Sequence, residues 1–552
     1  MKIKLVLILL FTFFFNLVNA QLADSLAKKV DIIFSEYANP NSPGCVLAIL
    51  KDGKTIYKKG YGMSNLEYNT PIRSSSIFNI GSISKQFTAA AIVMLSLEGK
   101  LSLHDDIRKY IPELPDFGHT ITLNHLMHHT SGLREIFGLL RLAGWREDDV
   151  LTQNDVLSLL QRQKNLNFFP GDEYQYCNTG YMLLAIAVER ITGVLFRKYV
   201  DSVFFKPLGM NSTHIHDDYT EITPNRTSGY AKDKNGKWTI SIGENNVYGA
   251  SNLFTTVEDL SKWDENFYTG KVGGAAFINA MQRTDSLNDK TPQTYASGLN
   301  IFTYNGYRTV EHSGADFGYR SYFIRFPQQH FSIIVLANLA NITAFSHAAK
   351  VVDLFLKDIT KNDNPVNVKT NNKVLSQWAG DYFDPNTNAI AKLEFKDNKL
   401  FADYSPLEAM NDSLFIAANL LSIYSFSGDS SNAKFVLHEE GTQNETFLRE
   451  KMISLDTSQL HFYEGEFYST ELDTRYKLSL KDGALFEKWP RWDEVKLTPF
   501  IKDIFTGNYT VNNTALINNT VLFSRDKENN ISGFYLTAGR VRNLYFKKLI
   551  AK

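Results

Sequence analysis

The spacing of hydrophobic and polar positions changes once along this chain. From residue 22 to about residue 361, helical periods alternate with short runs that are typical of strands. The clearest patterns predict helices over 25–36 and 85–97, and strands over 44–51 and 54–63 joined by the turn Asp52-Gly53. This mixture predicts an α/β (α+β) domain, to which we assign residues 21–361.

The pattern after this domain is different. Residues 361–373 are polar, contain Pro365 and have no period, so we predict a linker over 362–373. Short alternating strands follow.

These strands repeat. Two segments align without a gap at a constant offset of 85 positions, which pairs Gly380 with Gly465 and Leu393 with Leu478. A repeated unit of this size is long enough for a small antiparallel barrel. We therefore predict two tandem β-barrel domains, over 374–452 and 457–552.

The N-terminus has the pattern of a secretory signal. A short basic stretch precedes an apolar run over 5–18, and Val18-Asn19-Ala20 supplies small residues for cleavage, so we predict a signal peptide over 1–20 and a secreted or periplasmic protein. The alternative is a retained membrane anchor, but the run is shorter than the roughly 20 residues that span a bilayer, and Asn16 interrupts it. We expect no stable membrane span after cleavage.

The balance of charges limits the kinds of molecule that the chain is expected to bind, and the cysteine content limits its disulfide bonds. The 58 basic and 59 acidic residues nearly balance, so we expect a small-molecule or peptide substrate and no nucleic acid. Cys45 and Cys177 are too few for a disulfide scaffold, although an exported chain could join them in one bridge. The oligomeric state stays open.

The segment "FNIGSISKQFTAA" places Ser82 and Lys85 one helical turn apart at the start of an apolar helix. At this spacing the amine can reach the hydroxyl. Burial of the helix would desolvate Lys85, which lowers the pKa of an ammonium toward neutrality. A neutral buried lysine can accept the serine proton, so the pair predicts covalent catalysis.

The Ser-x-x-Lys spacing alone is weak evidence for catalysis, because the same spacing recurs elsewhere in the chain. It is also found at Ser25 to Lys28, Ser431 to Lys434 and Ser524 to Lys527. Two further elements distinguish the first pair. They are Tyr176-Cys177-Asn178 and His312-Ser313-Gly314.

These three motifs, in this order, resemble those of the serine β-lactamase and penicillin-binding-protein superfamily, specifically its class C-like branch. The segments "LNHLMHHTSGL", "FFKPLGMNST" and "GASNLFTTVEDLSKW" also match. The resemblance implies an antiparallel sheet flanked by helices, followed by two lipocalin-like barrels. We expect no cofactor.

The resemblance also implies roles for the motif residues. Ser82 would be the nucleophile, Lys85 its activating partner and Tyr176 a second proton-transfer group. Asn178 would hydrogen-bond the acyl side chain and Lys85. His312, Ser313 and Gly314 would border the cleft, and the backbone N–H groups of Ser82 and Ala315 would form the oxyanion hole.

Each role has a structural alternative. Ser82 could be a helix cap, Tyr176 a core aromatic residue and His312 a satisfied core histidine. Two positions also depart from the branch's β-lactamases. His312 stands where they usually carry lysine, which weakens attraction for a substrate carboxylate and is more like the esterases and D-aminopeptidases. Cys177 replaces the usual serine.

The expected function is hydrolysis of an ester or a peptide-like amide through an acyl-enzyme on Ser82. The alternatives are a β-lactamase or D-alanyl-D-alanine carboxypeptidase, and a non-catalytic protein that binds wall peptides or glycans. The D-aminopeptidase comparison implies that a barrel loop can reach the cleft and restrict the acyl group.

Two histidine clusters are candidate metal ligands. His125, His128 and His129 lie inside the family-like "HHTSGL" region, where we expect them to support the cleft floor. The segment 214–218, "HIHDD", is expected in a surface loop. Because zinc needs converging ligands and a supporting shell, which neither pattern indicates, we predict no metal site.

Overall fold

The computed structural model describes residues 22–356, 371–402, 405–417, 422–429, 431–439, 442–511 and 515–550. The predicted signal peptide lies outside these residues, as does most of the predicted linker over 362–373.

Helices are concentrated in the N-terminal domain. They are α1 Asp24–Ile33, α2 Lys85–Leu97, α3 Leu123–Met127, α4 Ile136–Leu142, α5 Gln153–Leu160, α6 Asn178–Thr192, α7 Phe196–Val200, α8 Lys206–Leu208, α9 Val257–Thr269, α10 Gly274–Met281, α11 Ala344–Phe355, α12 Asn372–Trp378 and α13 Thr457–Leu460. Helix α2 has its predicted bounds. Helix α1 ends before the predicted residue 36, and a 3-10 turn over Ser35–Tyr37 follows it.

The strands of this domain are β1 Cys45–Lys51, β2 Lys54–Tyr61, β3 Met63–Asn65, β4 Thr70–Pro71, β5 Phe78–Asn79, β6 His214–Ile215, β7 Tyr230–Lys232, β8 Trp238–Ile240, β9 Leu253–Thr255, β10 Asn300–Tyr304, β11 Tyr307–Asp316, β12 Tyr319–Phe326 and β13 Phe331–Ala337. Six of them form one antiparallel sheet in the order β10-β11-β12-β13-β1-β2. The hairpin β1–β2 turns at Asp52 and Gly53, which have φ of 50° and 72°, the left-handed conformation that such a turn requires.

Two hydrophobic cores lie on the two faces of this sheet. The smaller core packs α1 and α11 on one face. The larger core joins the other face to α2, α6 and α9. Helix α2 is hydrophobic on all sides, as expected for a helix buried in a core. This packing confirms an antiparallel sheet flanked by helices.

The C-terminal part forms two closed eight-stranded antiparallel barrels, which confirms the predicted fold class. The first barrel consists of β14 Gly380–Asp384, β15 Ala389–Lys396, β16 Lys399–Ala402, β17 Ser405–Ala409, β18 Leu414–Ala417, β19 Ser422–Ser427, β20 Lys434–Glu439 and β21 Glu445–Glu450. The second consists of β22 Gly465–Ser469, β23 Thr474–Lys481, β24 Ala484–Lys488, β25 Val495–Ile501, β26 Ile504–Val511, β27 Ala515–Arg525, β28 Ile531–Ala538 and β29 Val541–Lys548.

The sequence repeat appears directly in the strand pairing. Gly380 pairs with Leu393 in the first barrel, and Gly465 pairs with Leu478 at the matching place in the second. The helix before each barrel and its first three strands begin at matching positions. After these strands the second barrel has longer strands, so the constant offset ends there.

The second barrel is docked on the N-terminal domain by a buried ion pair. Arg134 Nη1 lies 2.5 Å from Glu471 Oε2, and the two side chains are only 1% and 3% exposed. The Tyr476 hydroxyl donates to the Leu142 carbonyl at 2.8 Å, deep in the same interface. These contacts hold one end of the barrel against the region around α4.

The two cysteines do not form the bridge that the sequence allowed. Cys45 and Cys177 are separate free thiols, and both are buried. The Cys177 thiol donates to the Leu133 carbonyl, 3.2 Å away.

Within the described ranges, no single helix is long and apolar enough to cross a membrane. One bent pair, Asn178–Thr192 with Phe196–Leu208, reaches the required length and composition only when its two parts are taken together.

Candidate active site

The Ser82 side chain is positioned by a short 3-10 turn over Gly81–Ser84 that leads directly into α2. Asn79 fixes this turn. Its side-chain oxygen accepts from the Gly81 N–H at 2.9 Å, while its amide donates to Asp316 at 2.9 Å. The turn is thereby connected to the end of β11.

Two glycines allow β11 to approach this turn. A Cβ on Gly81, where φ is +52°, would lie 2.6 Å from the backbone nitrogen of Ala315. A Cβ on Gly314 would lie 2.0 Å from the Ile80 carbonyl oxygen. Only glycine fits at such close approaches. The predicted oxyanion donors, the N–H groups of Ser82 and Ala315, therefore lie on neighbouring segments.

Lys85, the first residue of α2, is completely buried. Its Nζ lies 3.0 Å from Ser82 Oγ, 2.8 Å from Asn178 Oδ1 and 2.8 Å from the Ala250 carbonyl oxygen. A neutral amine can donate its two hydrogens to the two carbonyl oxygens. Its lone pair then faces the only hydroxyl among these three partners.

Burial lowers the pKa of Lys85 well below the usual value, and the positive charge of Arg540 lowers it further. Glu135 and Asp316 act in the opposite direction. Desolvation dominates because the ammonium loses its hydration entirely. The predicted neutral lysine is therefore favoured by its surroundings.

Tyr176 packs beside this pair, with Lys85 Nζ 4.8 Å from the centroid of its ring. Burial raises the pKa of Tyr176, so the phenol keeps its proton. The buried hydroxyl makes no hydrogen bond of ordinary geometry within the described residues, although Ser82 lies close enough to oppose part of the pKa rise. A protonated phenol next to the Ser82 hydroxyl can act as a proton donor.

His129 supports the Tyr176 motif from below. Its ring centroid lies 4.2 Å from that of Tyr176, and its Nδ1 accepts from the Cys177 N–H at 3.1 Å. The "HHTSGL" segment thus packs against the second motif.

Asn178 connects Lys85 to a buried carboxylate. Its amide oxygen accepts from Lys85, while its amide nitrogen donates to Glu135 Oε1 at 2.8 Å. Glu135 Oε2 also accepts from the Gly138 N–H at 2.9 Å and caps α4. One of the two Asn178 amide hydrogens is therefore already engaged before any substrate binds.

His312 is held as a neutral ring with both nitrogens occupied. Its Nδ1 lies 2.6 Å from the Ser313 carbonyl and must donate to it, so Nε2 accepts from the Tyr295 hydroxyl at 2.9 Å. Burial lowers the pKa of His312 to about 3. The third motif therefore supplies no positive charge at neutral pH. Ser313 and Ala315, by contrast, are exposed along the strand.

A cavity of about 250 Å³ opens beside Tyr176, and all three domains line it. The N-terminal domain contributes Tyr174, Gln175 and Tyr176, the first barrel contributes Gln443 among others, and the second contributes Arg542. A larger cavity of about 530 Å³ lies between α1 and β2, and none of the three motifs lines it.

The first histidine cluster is used in local hydrogen bonds. His125 Nδ1 accepts from the Thr122 N–H at 3.3 Å in a helix cap, and His128 Nδ1 contacts the Asn124 carbonyl at 3.0 Å. With His129 bound to the Cys177 N–H, the three rings serve three separate backbone groups.

The expectation of a surface loop for the second cluster is wrong. His214 belongs to β6, and His216 is only 4% exposed. Within the described residues, His214, His216 and Glu221 offer donor atoms within 4.8 Å of one another. However, Arg226 lies 3.4 Å from His216 Nε2 and donates to it, so the ring hydrogen is on Nδ1, the atom that faces His214. The cluster is satisfied as a hydrogen-bonded network.

Comparison with known proteins decides the family. A family model described as Beta-lactamase matches residues 28–356, more than half of the chain. The chain belongs to the beta-lactamase family. The chain is a serine hydrolase of the β-lactamase and penicillin-binding-protein group, which confirms the predicted superfamily, while the class C-like branch stays a prediction.

The similarity of this family member to other proteins extends beyond the region that the family model matches. Penicillin-binding protein 4* of Bacillus subtilis (strain 168) is 26% identical over 431 residues, covering 73% of this chain and 94% of that protein. D-aminopeptidase of Brucella anthropi is 25% identical over 450 residues, covering 81% and 83% respectively. The octameric penicillin-binding protein homologue from Pyrococcus abyssi shares the fold, with a TM-score of 0.57 and 24% identity over 77% of this chain and 100% of that one.

Sequence reasoning missed three charged residues of this β-lactamase-family site. Glu135 immediately follows the "HHTSGLR" stretch, so proximity to a matching segment was a usable signal. Asp316 ends β11, and burial raises its pKa to about 6. Arg540 lies in the second barrel and gave no sequence signal.

Proposed function

We propose that this family member is an exported enzyme that cleaves a peptide-like amide or an ester through an acyl-enzyme on Ser82. The observation that carries the proposal is the fully buried Lys85 amine 3.0 Å from Ser82 Oγ. The export part is supported by the N-terminal sequence pattern alone. It is tested by N-terminal sequencing of the protein secreted from a bacterial host.

In the first step, Lys85 Nζ takes the proton of the Ser82 hydroxyl while Oγ forms a bond to the substrate carbonyl carbon. The carbonyl oxygen becomes negative and is held by the N–H groups of Ser82 and Ala315. Loss of one such donor typically costs on the order of 3 kcal/mol of transition-state stabilisation.

In the second step, the bond to the leaving amine or alcohol breaks. The Tyr176 phenol gives its proton to the leaving group, and the Lys85 ammonium returns a proton to the phenolate. Water then attacks the carbonyl carbon of the acyl-enzyme. Lys85 and Tyr176 accept the proton of this water and return a proton to Ser82 Oγ as the acyl group leaves, which frees Ser82.

Three features support a peptide-like substrate. A cavity lined by polar and aromatic side chains adjoins Tyr176. The relatives carry the names D-aminopeptidase and penicillin-binding protein. Neutral His312 lacks the permanent positive charge that the β-lactamases of the branch usually carry there.

Labelling with a fluorophosphonate probe tests the nucleophile. We expect one adduct, on Ser82, and no adduct in Ser82→Ala. Ser431→Ala removes the serine of an unrelated Ser-x-x-Lys pattern and should label like the wild type. Lys85→Met should label at least about 100-fold more slowly, because general-base catalysis contributes about that much or more.

Equal labelling of the wild type and Ser82→Ala would refute the proposal. Turnover of nitrocefin would favour the β-lactamase alternative. Binding of wall peptides without turnover, unchanged by Ser82→Ala, would favour the non-catalytic alternative.

A further inference from the structure

The second barrel inserts one side chain beside the catalytic tyrosine. Strands β28 and β29 are joined by the two-residue turn Gly539-Arg540, and Gly539 has φ of +54°. Glycine at the first central position is what a type II′ hairpin requires. The turn therefore presents Arg540 at the tip of a rigid hairpin.

The backbone of this tip is fixed on the catalytic domain. The Arg540 carbonyl accepts from the Glu135 N–H at 3.3 Å and from the Asn167 amide at 3.0 Å. The Arg540 Nη1 donates to the Tyr176 carbonyl at 2.7 Å, and the guanidinium carbon lies 5.6 Å from the centroid of the Tyr176 ring. Because the two contacts of the carbonyl do not involve the side chain, the hairpin can keep its place when Arg540 is substituted.

Near Ser82, the negative charge of Glu135 is buried, whereas the positive charge of Arg540 is exposed. Arg540 Nη2 lies 4.0 Å from Glu135 Oε2, but the Glu135 side chain is 4% exposed and the Arg540 side chain 41%. Glu135 is already engaged by Asn178 and Gly138. The group that faces solvent here is therefore the cation.

The guanidinium has capacity for a further partner. It carries five N–H donors in a planar fork, of which one is used on the Tyr176 carbonyl. A guanidinium fork matches the geometry of a carboxylate and binds it with two parallel hydrogen bonds. His312 and Lys85, the other basic groups of the motifs, are buried and favoured as neutral.

We propose that Arg540 binds a carboxylate of the substrate, so that the second barrel gives this hydrolase a preference for anionic substrates over neutral ones. The inference rests on the proposed function, because it assigns a substrate class to the same site. The barrel thereby supplies the charge that the third motif lacks. A substrate whose charged group is an ammonium would be disfavoured by the same cation.

Two matched pairs of esters test this preference. The first pair, p-nitrophenyl butyrate and p-nitrophenyl hemiglutarate, differs by a carboxylate on the acyl group. The second pair, phenyl acetate and 4-carboxyphenyl acetate, differs by a carboxylate on the leaving group. The readout is the ratio of kcat/KM for the anionic ester to that for the neutral ester, because both members of a pair share the Lys85 and Ser82 steps.

We expect Arg540→Gln to lower this ratio about tenfold in at least one pair, the size of one lost charge-assisted contact. Arg540→Lys keeps the charge without the fork and should retain part of the preference. Arg491→Gln is the matched control, because Arg491 lies in another turn of the same barrel and pairs with Asp149 of the catalytic domain at 2.6 Å. It should leave both ratios at the wild-type value.

The possible failures can be told apart. Ester hydrolysis that Ser82→Ala does not abolish refutes the proposed function and, with it, this inference. Hydrolysis that depends on Ser82, with both ratios unchanged in Arg540→Gln, overturns the Arg540 assignment alone. Labelling of Arg540→Gln by a neutral fluorophosphonate at Ser82 checks that the variant is folded.

Discussion

The two barrels share a fold but use the same loop differently. In each barrel the connection between the seventh and eighth strands points to the catalytic domain. In the first barrel this loop carries Gln443, which accepts from the Tyr174 N–H at 3.1 Å and donates to Glu173 at 3.0 Å. In the second it carries Arg540, which donates to the Tyr176 carbonyl. Gln443 is a neutral amide and Arg540 is a cation, and the backbone groups that they contact belong to Tyr174 and Tyr176, two residues apart in the catalytic domain.

This difference shows how two domains with the same fold can take different roles. Strand pairing is preserved because it builds each barrel core, whereas loop residues can vary without disturbing that core. The second barrel also makes the buried Arg134 and Glu471 ion pair, while the Gln443 contacts of the first barrel are only partly buried. With the role proposed for Arg540, we assign charge selection to the second barrel, whereas the first barrel contributes Gln443 to a cavity wall that it shares with Arg542 of the second barrel.

The largest expected effect comes from breaking the docking of the second barrel. Arg134→Met leaves the Glu471 carboxylate buried without its cation, which typically costs about 3–5 kcal/mol. Urea unfolding followed by tryptophan fluorescence should show this loss. The preference for anionic esters should fall with it, because Arg134 also donates to the Arg542 and Asn543 carbonyls, close to the Arg540 hairpin tip, and the variant loses these contacts.

Arg491→Gln again serves as the control for this experiment. Its ion pair with Asp149 is half exposed, and such pairs contribute at most about 1 kcal/mol. Equal destabilisation by the two variants would contradict the assignment of docking to the buried pair.

A smaller expected effect is a pH dependence of folding stability that arises in the second barrel and has no counterpart in the first. Leu478 pairs with Glu487 in the second barrel, where Leu393 pairs with Ala402 in the first. Burial raises the pKa of Glu487 from 4.5 to about 8. Between these values the folded chain keeps a proton that the unfolded chain has released, so stability falls as pH rises through this window.

The measurement compares urea unfolding at pH 5 and pH 9. Glu487→Gln should remove part of the loss of stability at pH 9, because the glutamine does not titrate. Glu466→Gln, at an exposed position of the same barrel, should show the wild-type difference. An unchanged pH difference in Glu487→Gln would contradict the protonated buried glutamate.

The smallest effect is expected in the first barrel. Gln443→Ala removes two partly buried hydrogen bonds at the cavity beside Tyr176, one from the Tyr174 N–H and one to the Glu173 carboxylate, with net contributions of roughly 1–2 kcal/mol each. We expect KM for bulky neutral esters to change about threefold, while the anionic-to-neutral ratio stays near the wild-type value. A change in that ratio as large as the change in Arg540→Gln would refute the division between the barrels.

The sequence predicted what local patterns encode. The turn before α2 and the hairpin β1–β2 follow from short-range spacing, the barrel repeat follows from self-similarity at an offset of 85 positions, and the structure places Ser82, Lys85, Tyr176 and Asn178 together. The resemblance anticipated that a barrel loop could reach the cleft, but neither the choice of Arg540 nor the burial of His216 could be predicted. Both depend on packing between segments that are distant in the chain, and neither periodicity nor turn chemistry reports such packing.

The hairpin tip that touches Tyr176 is separated from it by 364 positions in the chain. A substitution in this turn can therefore change the charge beside Tyr176 while the segments around Ser82 and Lys85 keep their sequence. With the role proposed for Arg540, relatives that share all three motifs can differ in their preference for charged substrates through this single position.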